Sequence, residues 1–227
     1  MKKIRLILYC SLVALCASIS ASAQNIVWDT LSTEIVQGKP KELFVGANYS
    51  YTISNVMFNP TIKAKPRYAP INFGALCTYY TPLWGYMDYF GFQTGIKYTS
   101  LGYYSNEPGF EYLHDELQSV QIPITTLVKF DIQERFRALF TIGTLVGYRT
   151  STNKEGGFDC FDRRWDYGLE AGLAFVVRLN PIELHLGGSY QYNLSWFYHP
   201  EKLDSDIWVY AFPTVISINF GVHFKLK

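Results

Sequence analysis

Cysteine is scarce in this chain, and long apolar runs are scarcer. Four cysteines occur in 227 residues, and two of them, Cys10 and Cys16, fall within the first 23. Cys77 lies on the apolar face of a predicted strand and Cys160 in a predicted loop, so both are read as unpaired thiols, and no metal-ligand spacing is built on them. Beyond residue 23 no segment supplies the ~20 apolar residues of a membrane helix. An excess of one charge is missing too. Lys and Arg number 20 against 19 Asp and Glu, with no basic cluster, which predicts no nucleic-acid partner. A glycine-rich phosphate loop, a G-x-S-x-G elbow and a metal-spaced cluster are all lacking. His185 and Ser189 share a strand face with Glu183, but four residues along a strand span ~13 Å, too far for a direct Ser–His pair. The expectation is a protein that is not an enzyme and takes no cofactor and no metal.

What is present begins with an export signal. Lys2, Lys3 and Arg5 form a basic region, residues 6–17 an apolar run too short to span a bilayer, and Ala21-Ser22-Ala23 a small-x-small cleavage site. Leu15, which is not small, argues against lipidation at Cys16. The organisation expected is a signal peptide over 1–23, a periplasmic leader over 24–42 and a barrel domain over 43–227.

That domain is an alternation repeated eight times. The clearest stretch is 165–178, where Trp165, Tyr167, Leu169, Ala171, Leu173, Phe175 and Val177 fall on one face and Asp166, Glu170 and Arg178 on the other. Period-two patterning means that one side of a strand meets an apolar medium and the other a polar one. The remaining stretches run over about 43–54, 71–80, 89–101, 117–130, 136–149, 182–195 and 208–226. Most reach the nine to eleven residues with which a tilted barrel strand crosses a membrane. Mean hydropathy is +0.01, as expected when only alternate residues meet lipid. Tyr and Phe are abundant, at 18 and 16, and aromatic residues gather near one set of strand ends, where an interfacial girdle belongs.

The connections alternate between long and short. About sixteen residues separate the first two stretches, and long links also follow the third, fifth and seventh. The links around Pro82, over 131–135 and at Leu179-Asn180-Pro181 are short. Long outer loops and short periplasmic turns mark an all-β, eight-stranded antiparallel up-and-down transmembrane β-barrel, with both chain ends on the periplasmic side. A soluble lipocalin-like barrel or sandwich would turn its apolar faces inward.

Two groups of residues are candidate sites. The polar faces carry Lys97, Arg137, Asp166, Glu170, Arg178, Glu183 and His185, together with Lys129, Arg149, His223 and Lys225. An eight-stranded barrel is just wide enough for side chains to fill it, so these charges are expected to pair across the lumen. Glu170 has Arg137 or His185 as candidate partners, and a solute path is the competing reading. The loops offer Phe110, Tyr112, Phe158 and Phe161 among acidic residues, either as a binding surface or as rings folded over the barrel mouth.

Ser119-Val120-Gln121-Ile122-Pro123-Ile124, followed by Leu127-Val128-Lys129-Phe130, resembles the L-x-I-P-L-L-x-K-Y strand of the PorT-like outer-membrane β-barrel family of Bacteroidota. Tyr167-Gly168-Leu169-Glu170-Ala171-Gly172-Leu173 resembles that family's glycine-spaced strand, and Tyr190-Gln191-Tyr192-Asn193-Leu194 the end of its R-Y-x-Y-G-L strand. The ending departs from the usual terminal aromatic, since Phe224 is followed by Lys225-Leu226-Lys227. The resemblance implies an eight-stranded barrel in the outer membrane of a Gram-negative bacterium, in contact with its lipid. The family's namesake belongs to type IX secretion, which implies envelope or secretion-complex proteins as partners. The reading is a structural or partner-binding envelope protein, with a narrow channel for small solutes or ions as the alternative.

Overall fold

In the computed structural model, residues 41–84, 89–105, 113–133, 135–202 and 208–226 are described. The signal and nearly all of the leader expected over 1–42, and Phe110 and Tyr112, lie outside these residues. Eight strands follow in chain order: β1 (Glu42–Asn59), β2 (Lys65–Tyr80), β3 (Phe90–Ser105), β4 (Leu113–Gln133), β5 (Phe136–Thr152), β6 (Trp165–Arg178), β7 (Ile182–Asn193) and β8 (Tyr210–Lys225). Each pairs antiparallel with its neighbour in sequence, and β1 pairs with β8 to close the ring. The up-and-down barrel read from the alternation is therefore the fold.

The strand faces sort as the period demands. On β6, Asp166, Gly168 and Glu170 are buried inside while Trp165, Tyr167 and Leu169 are exposed outside. On β4, Val120, Ile122 and Ile124 point outward and Ser119, Gln121 and Thr125 inward. The exposed belt continues through Phe140 and Ile142 on β5, Leu186 and Tyr190 on β7, and Ile216, Ile218 and Phe220 on β8. The interior runs through three levels. At the rim where β1 begins and β8 ends, Phe44, Tyr80, Leu127, Leu139 and Val176 form a small apolar layer. The middle is polar. At the opposite rim, where the long loops lie, Val56, Phe58, Leu101, Tyr103 and Leu117 pack with Phe197, Tyr198, Val209, Ala211 and Val215.

Strands β1 to β5 outrun their expected limits towards the loop rim, while β6 keeps its limits and β7 and β8 stop about two residues short. Residues 60–64 alone join β1 to β2, not the sixteen or so expected. At this height the lumen is filled by apolar side chains, so Val56 and Phe58 point inward and the sense of the alternation reverses. Asn59-Pro60 and Lys65-Pro66 read as breaks in sequence, yet Pro66 occupies a strand position beside an interruption of the ladder, where proline is tolerated.

That interruption, between Pro66 and Phe73, separates β2 from β3. Side chains bridge it. Asn72 Oδ1 crosses to β3, accepting from the Ser100 amide at 2.7 Å, while its Nδ2 donates back to Thr52 Oγ1 on β1 at 2.8 Å. Ser54 Oγ accepts from the Gly102 amide at 2.9 Å. Arg67 donates to Ser100 Oγ at 2.8 Å and pairs with Glu116 at 2.5 Å.

Candidate functional site

At the rim bearing the strand termini, the lumen holds a charge network. Arg137, brought inside by the alternation of β5, is 1% exposed. Its Nε donates to Asp131 at 2.7 Å and its Nη1 to Glu183 at 3.2 Å, while Nη2 stands 3.5 Å from Glu42. Glu42 also accepts from Lys225 at 2.6 Å and from Lys129 at 3.4 Å. Arg178, half-buried at the end of β6, lies 3.7 Å from Asp131 and 3.6 Å from Glu183. The Lys129 ammonium and the Arg137 guanidinium stand over the Tyr80 ring at 4.6 and 4.9 Å. A buried charge is tolerated only when paired, and among the described residues this network pairs Arg137, Glu42 and Glu183 several times each and gives Lys129 and Lys225 one partner each, Glu42. Asp131 and Glu42 were not among the residues expected here. Asp131 reads from sequence as part of a tight turn and Glu42 as the last residue of the leader, although β1 in fact opens on it.

The middle level brings Glu170 to Lys97, at 2.5 Å, and not to Arg137 or His185. Register explains the correction. Arg137 faces Val176 across the β5–β6 ladder, six residues along β6 from Glu170, and reaches the terminal rim instead. His185 Nε2 stands 3.4 Å from Glu183, and its ring stacks on His223 at 3.9 Å. His223 in turn hydrogen-bonds Asn48 at 2.8 Å. Lys97, Glu170 and His185 border a polar cavity of about 80 Å³, together with Asn48, Gln191 and Asn219. That volume has room for a few waters. Glu170 Oε2 is buried beside it with no hydrogen-bond partner among the described residues. Ser189 Oγ accepts from Asn219 at 3.0 Å. Among the described residues no three His, Cys, Asp or Glu side chains are grouped to hold a metal ion. Cys77 and Cys160 are both free, as read from their places in the sequence.

At the loop rim the mouth is capped by residues 195–198, which follow β7. Phe197 and Tyr198 turn inward and are buried, with the Tyr198 hydroxyl 3.3 Å from that of Tyr103. Arg149 holds this cap. Its Nη1 donates to the carbonyls of Arg163, Trp196 and Phe197 at 2.9, 2.9 and 2.7 Å. Its Nη2 faces Asp166 at 3.5 Å. Asp166 accepts from Gln121 and Ser195, each at 2.8 Å. One buried arginine thus binds three loop carbonyls that would otherwise lie unsatisfied. The sequence pattern places Arg149 and Asp166 inside but carries no signal of the carbonyls they serve.

Above the cap the two loops are clamped together. Asp162 accepts from Lys154 at 2.8 Å and from Lys202 at 2.7 Å, and bridges to Tyr198 through the backbone. Burial disfavours charge on Asp162, but the hydrogen bonds from Lys154 and Lys202 outweigh it and hold its carboxyl below the usual carboxylate range. Burial likewise opposes charge on Lys202, while the bond to Asp162 prevails and raises it above the usual ammonium value. Phe158 packs against the cap, the folded-over alternative for these loop rings, whereas Phe161 stays exposed against His199, ring centroids 6.4 Å apart.

No protein-family model and no curated protein matches this chain. Among solved structures it is similar to Neisserial surface protein A at 14% identity, over 82% of this chain and 99% of that one, with a TM-score of 0.48. It is similar to the outer membrane protein OprG of Pseudomonas aeruginosa at 13% identity, over 83% of this chain and 99% of that one, with a TM-score of 0.48. A third similar structure is the outer membrane protein AlkL in DMPC lipid bilayers, at 14% identity, 90% and 98% coverage and a TM-score of 0.46.

Proposed function

We propose that this chain is a small barrel of a Gram-negative outer membrane, exported by the signal over 1–23, that acts through its outer surface. It binds lipid along its wall and partner proteins at its rims, and neither conducts solutes nor catalyses a reaction. The observation that carries this reading is the inversion of inside and outside. Leu173, Ile124, Phe220 and Leu186 are exposed around the ring while Arg137, Arg149, Asp166 and Glu183 are buried within it. Soluble monomers rarely expose a contiguous apolar belt of this kind, whereas a bilayer requires one. Closure of the ring gives every strand two neighbours and so leaves no free edge strand for lipid to meet, which a spanning sheet needs. Both ends of the lumen are filled by buried side chains, which supports a structural or partner-binding role over transport.

The PorT-like affiliation rests on the strand motifs around Ile122-Pro123 and Tyr190-Gln191-Tyr192, and with it a place as an accessory of an envelope or secretion complex. Crosslinking and affinity capture of the tagged protein from its native outer membrane tests this role. A reproducible set of envelope proteins is the expected result. Recovery of the barrel alone under all crosslinkers and detergents overturns it. The channel reading has two cavities in its favour, one beside Lys97 and Glu170 and one of about 200 Å³ at the terminal rim beside Glu42, Arg178 and Lys225. Folded, reconstituted protein without conductance would sink it.

A further inference from the structure

Arg163 and Arg164 occur at the outer edge of the loop rim, immediately before β6. The carboxylates nearest in sequence are already engaged. Asp162 is held by Lys154 and Lys202, and Asp159 lies 3.0 Å from Lys202. Neither arginine has a carboxylate partner among the described residues. Both rest on aromatic rings instead. The Arg163 guanidinium stands 4.4 Å over Trp196, which packs on the outward-facing Tyr210 at 5.2 Å. The Arg164 guanidinium lies 4.0 Å over Phe158 and 5.1 Å over Tyr148, and Tyr148 packs edge-on against Trp165 at 5.5 Å.

The backbone beneath them is fixed. The Arg163 carbonyl accepts from the buried Arg149 side chain at 2.9 Å, the Arg164 carbonyl accepts from the Arg149 amide at 2.7 Å, and Arg164 Nε donates to the Arg149 carbonyl at 3.1 Å. Two cationic groups are thus presented on a rigid base, above an outward wall that includes Trp165 and Trp208, both more than half exposed. Trp and Tyr are favoured at the headgroup level of a bilayer, and a guanidinium fork matches phosphate oxygens in a bidentate fashion. A site of this composition fits an amphiphile whose apolar part lies along the barrel wall and whose anionic group rises to the rim.

We propose that Arg163 and Arg164, with the aromatic wall beneath them, bind the phosphate of a lipid headgroup in the surrounding outer leaflet. The inference rests on the membrane reading above. The occupant comes from the bilayer because two of the three rings that carry the guanidiniums, Trp196 and Tyr148, continue through Tyr210 and Trp165 onto the outer wall, and Phe158 alone packs against the cap.

The test uses the full chain folded into phosphatidylcholine nanodiscs that contain equal small amounts of lipid A with and without its phosphates. Native mass spectrometry then reads which form stays bound. The phosphorylated form should be retained about tenfold over the other, as for one or two charge-assisted bonds at an exposed site. The R163Q/R164Q variant should lose that preference. The K63Q/K65Q variant, which removes the same charge elsewhere on the loop rim, should keep it. Equal retention of the two lipids by the wild type overturns the proposal and leaves the arginines to an acidic protein segment. Equal loss in both variants overturns it in favour of net charge alone. Failure to enter the nanodisc at all overturns the membrane reading, an outcome distinct from insertion without preference.

Discussion

Gly46 faces the lumen beside His223, and a Cβ at this position would overlap the imidazole ring and the Val222 carbonyl. The ring cannot retreat, because it is stacked on His185 and bonded to Asn48. Gly46→Ala is therefore expected to destabilise the barrel by about 1–3 kcal/mol, the usual cost of overpacking. Equilibrium unfolding in urea from lipid vesicles measures it. The two strand faces should differ just as sharply. Leu173, 67% exposed on the outer wall, should cost about 2–4 kcal/mol when replaced by Arg near the midplane. Gln191→Arg should be much milder, since position 191 pairs with Glu170 across β6–β7 and Glu170 Oε2 has no hydrogen-bond partner among the described residues. Equal tolerance at the two positions would contradict the assignment of faces. Arg149 is the most demanding single residue. Its replacement by Met strands the buried Asp166 and three cap carbonyls, and should cost about 3–5 kcal/mol, as for a broken buried pair.

Residues 153–164 and 194–202 behave as one element because Asp162 ties them together through Lys154 and Lys202. Asp162 has a depressed pKa in the folded loop, so its contribution is present above the ordinary carboxylate pKa of about 4 and is lost as pH falls through the folded value below it. Lys202 is raised, so its contribution is present below the ordinary ammonium pKa of about 10 and is lost only as pH rises through its higher folded value. The protection of amides 158–162, taken relative to the intrinsic exchange rate at each pH, should therefore fall below about pH 4 while the strand amides stay protected, and Asp162→Asn should bring the same loss of protection at neutral pH. Protection that stays constant between pH 3 and 7 would count against the clamp. At this scale the sequence was legible wherever one face met an apolar medium. The middle of every strand follows from alternation, as with Val120, Ile122 and Ile124 on β4. It was illegible above the level of Ser54, where inward Val56 and Phe58 meet an apolar cap and the pattern changes sense. The lumen charges were legible as a set, because polar residues at every second position must face inward. Their pairing was not, because Lys97 on β3 reaches Glu170 on β6 across the barrel, a distance that no local spacing encodes.

Over its described residues, the barrel is a tube filled near both ends by apolar layers around a polar middle. Ions entering at the loop rim meet Phe197, Tyr198 and Leu101, and ions entering at the other rim meet Arg137, Tyr80 and Leu127. Wild-type protein in a planar bilayer is expected to show no unitary conductance. F197S/Y198S is expected to stay silent as well, because the terminal layer remains, and steady current through either would mean that the layers leak. One feature of the ring's circumference then acquires a different meaning. Seven of its eight seams are stitched along most of their length by main-chain ladders, which almost any side chain leaves intact. Between Pro66 and Phe73 the stitching is done instead by Ser54, Arg67 and Asn72. Here the continuity of the wall depends on which side chains are present, so substitutions at Ser54, Arg67 and Asn72 should loosen one sector of the cylinder without touching either end of the tube.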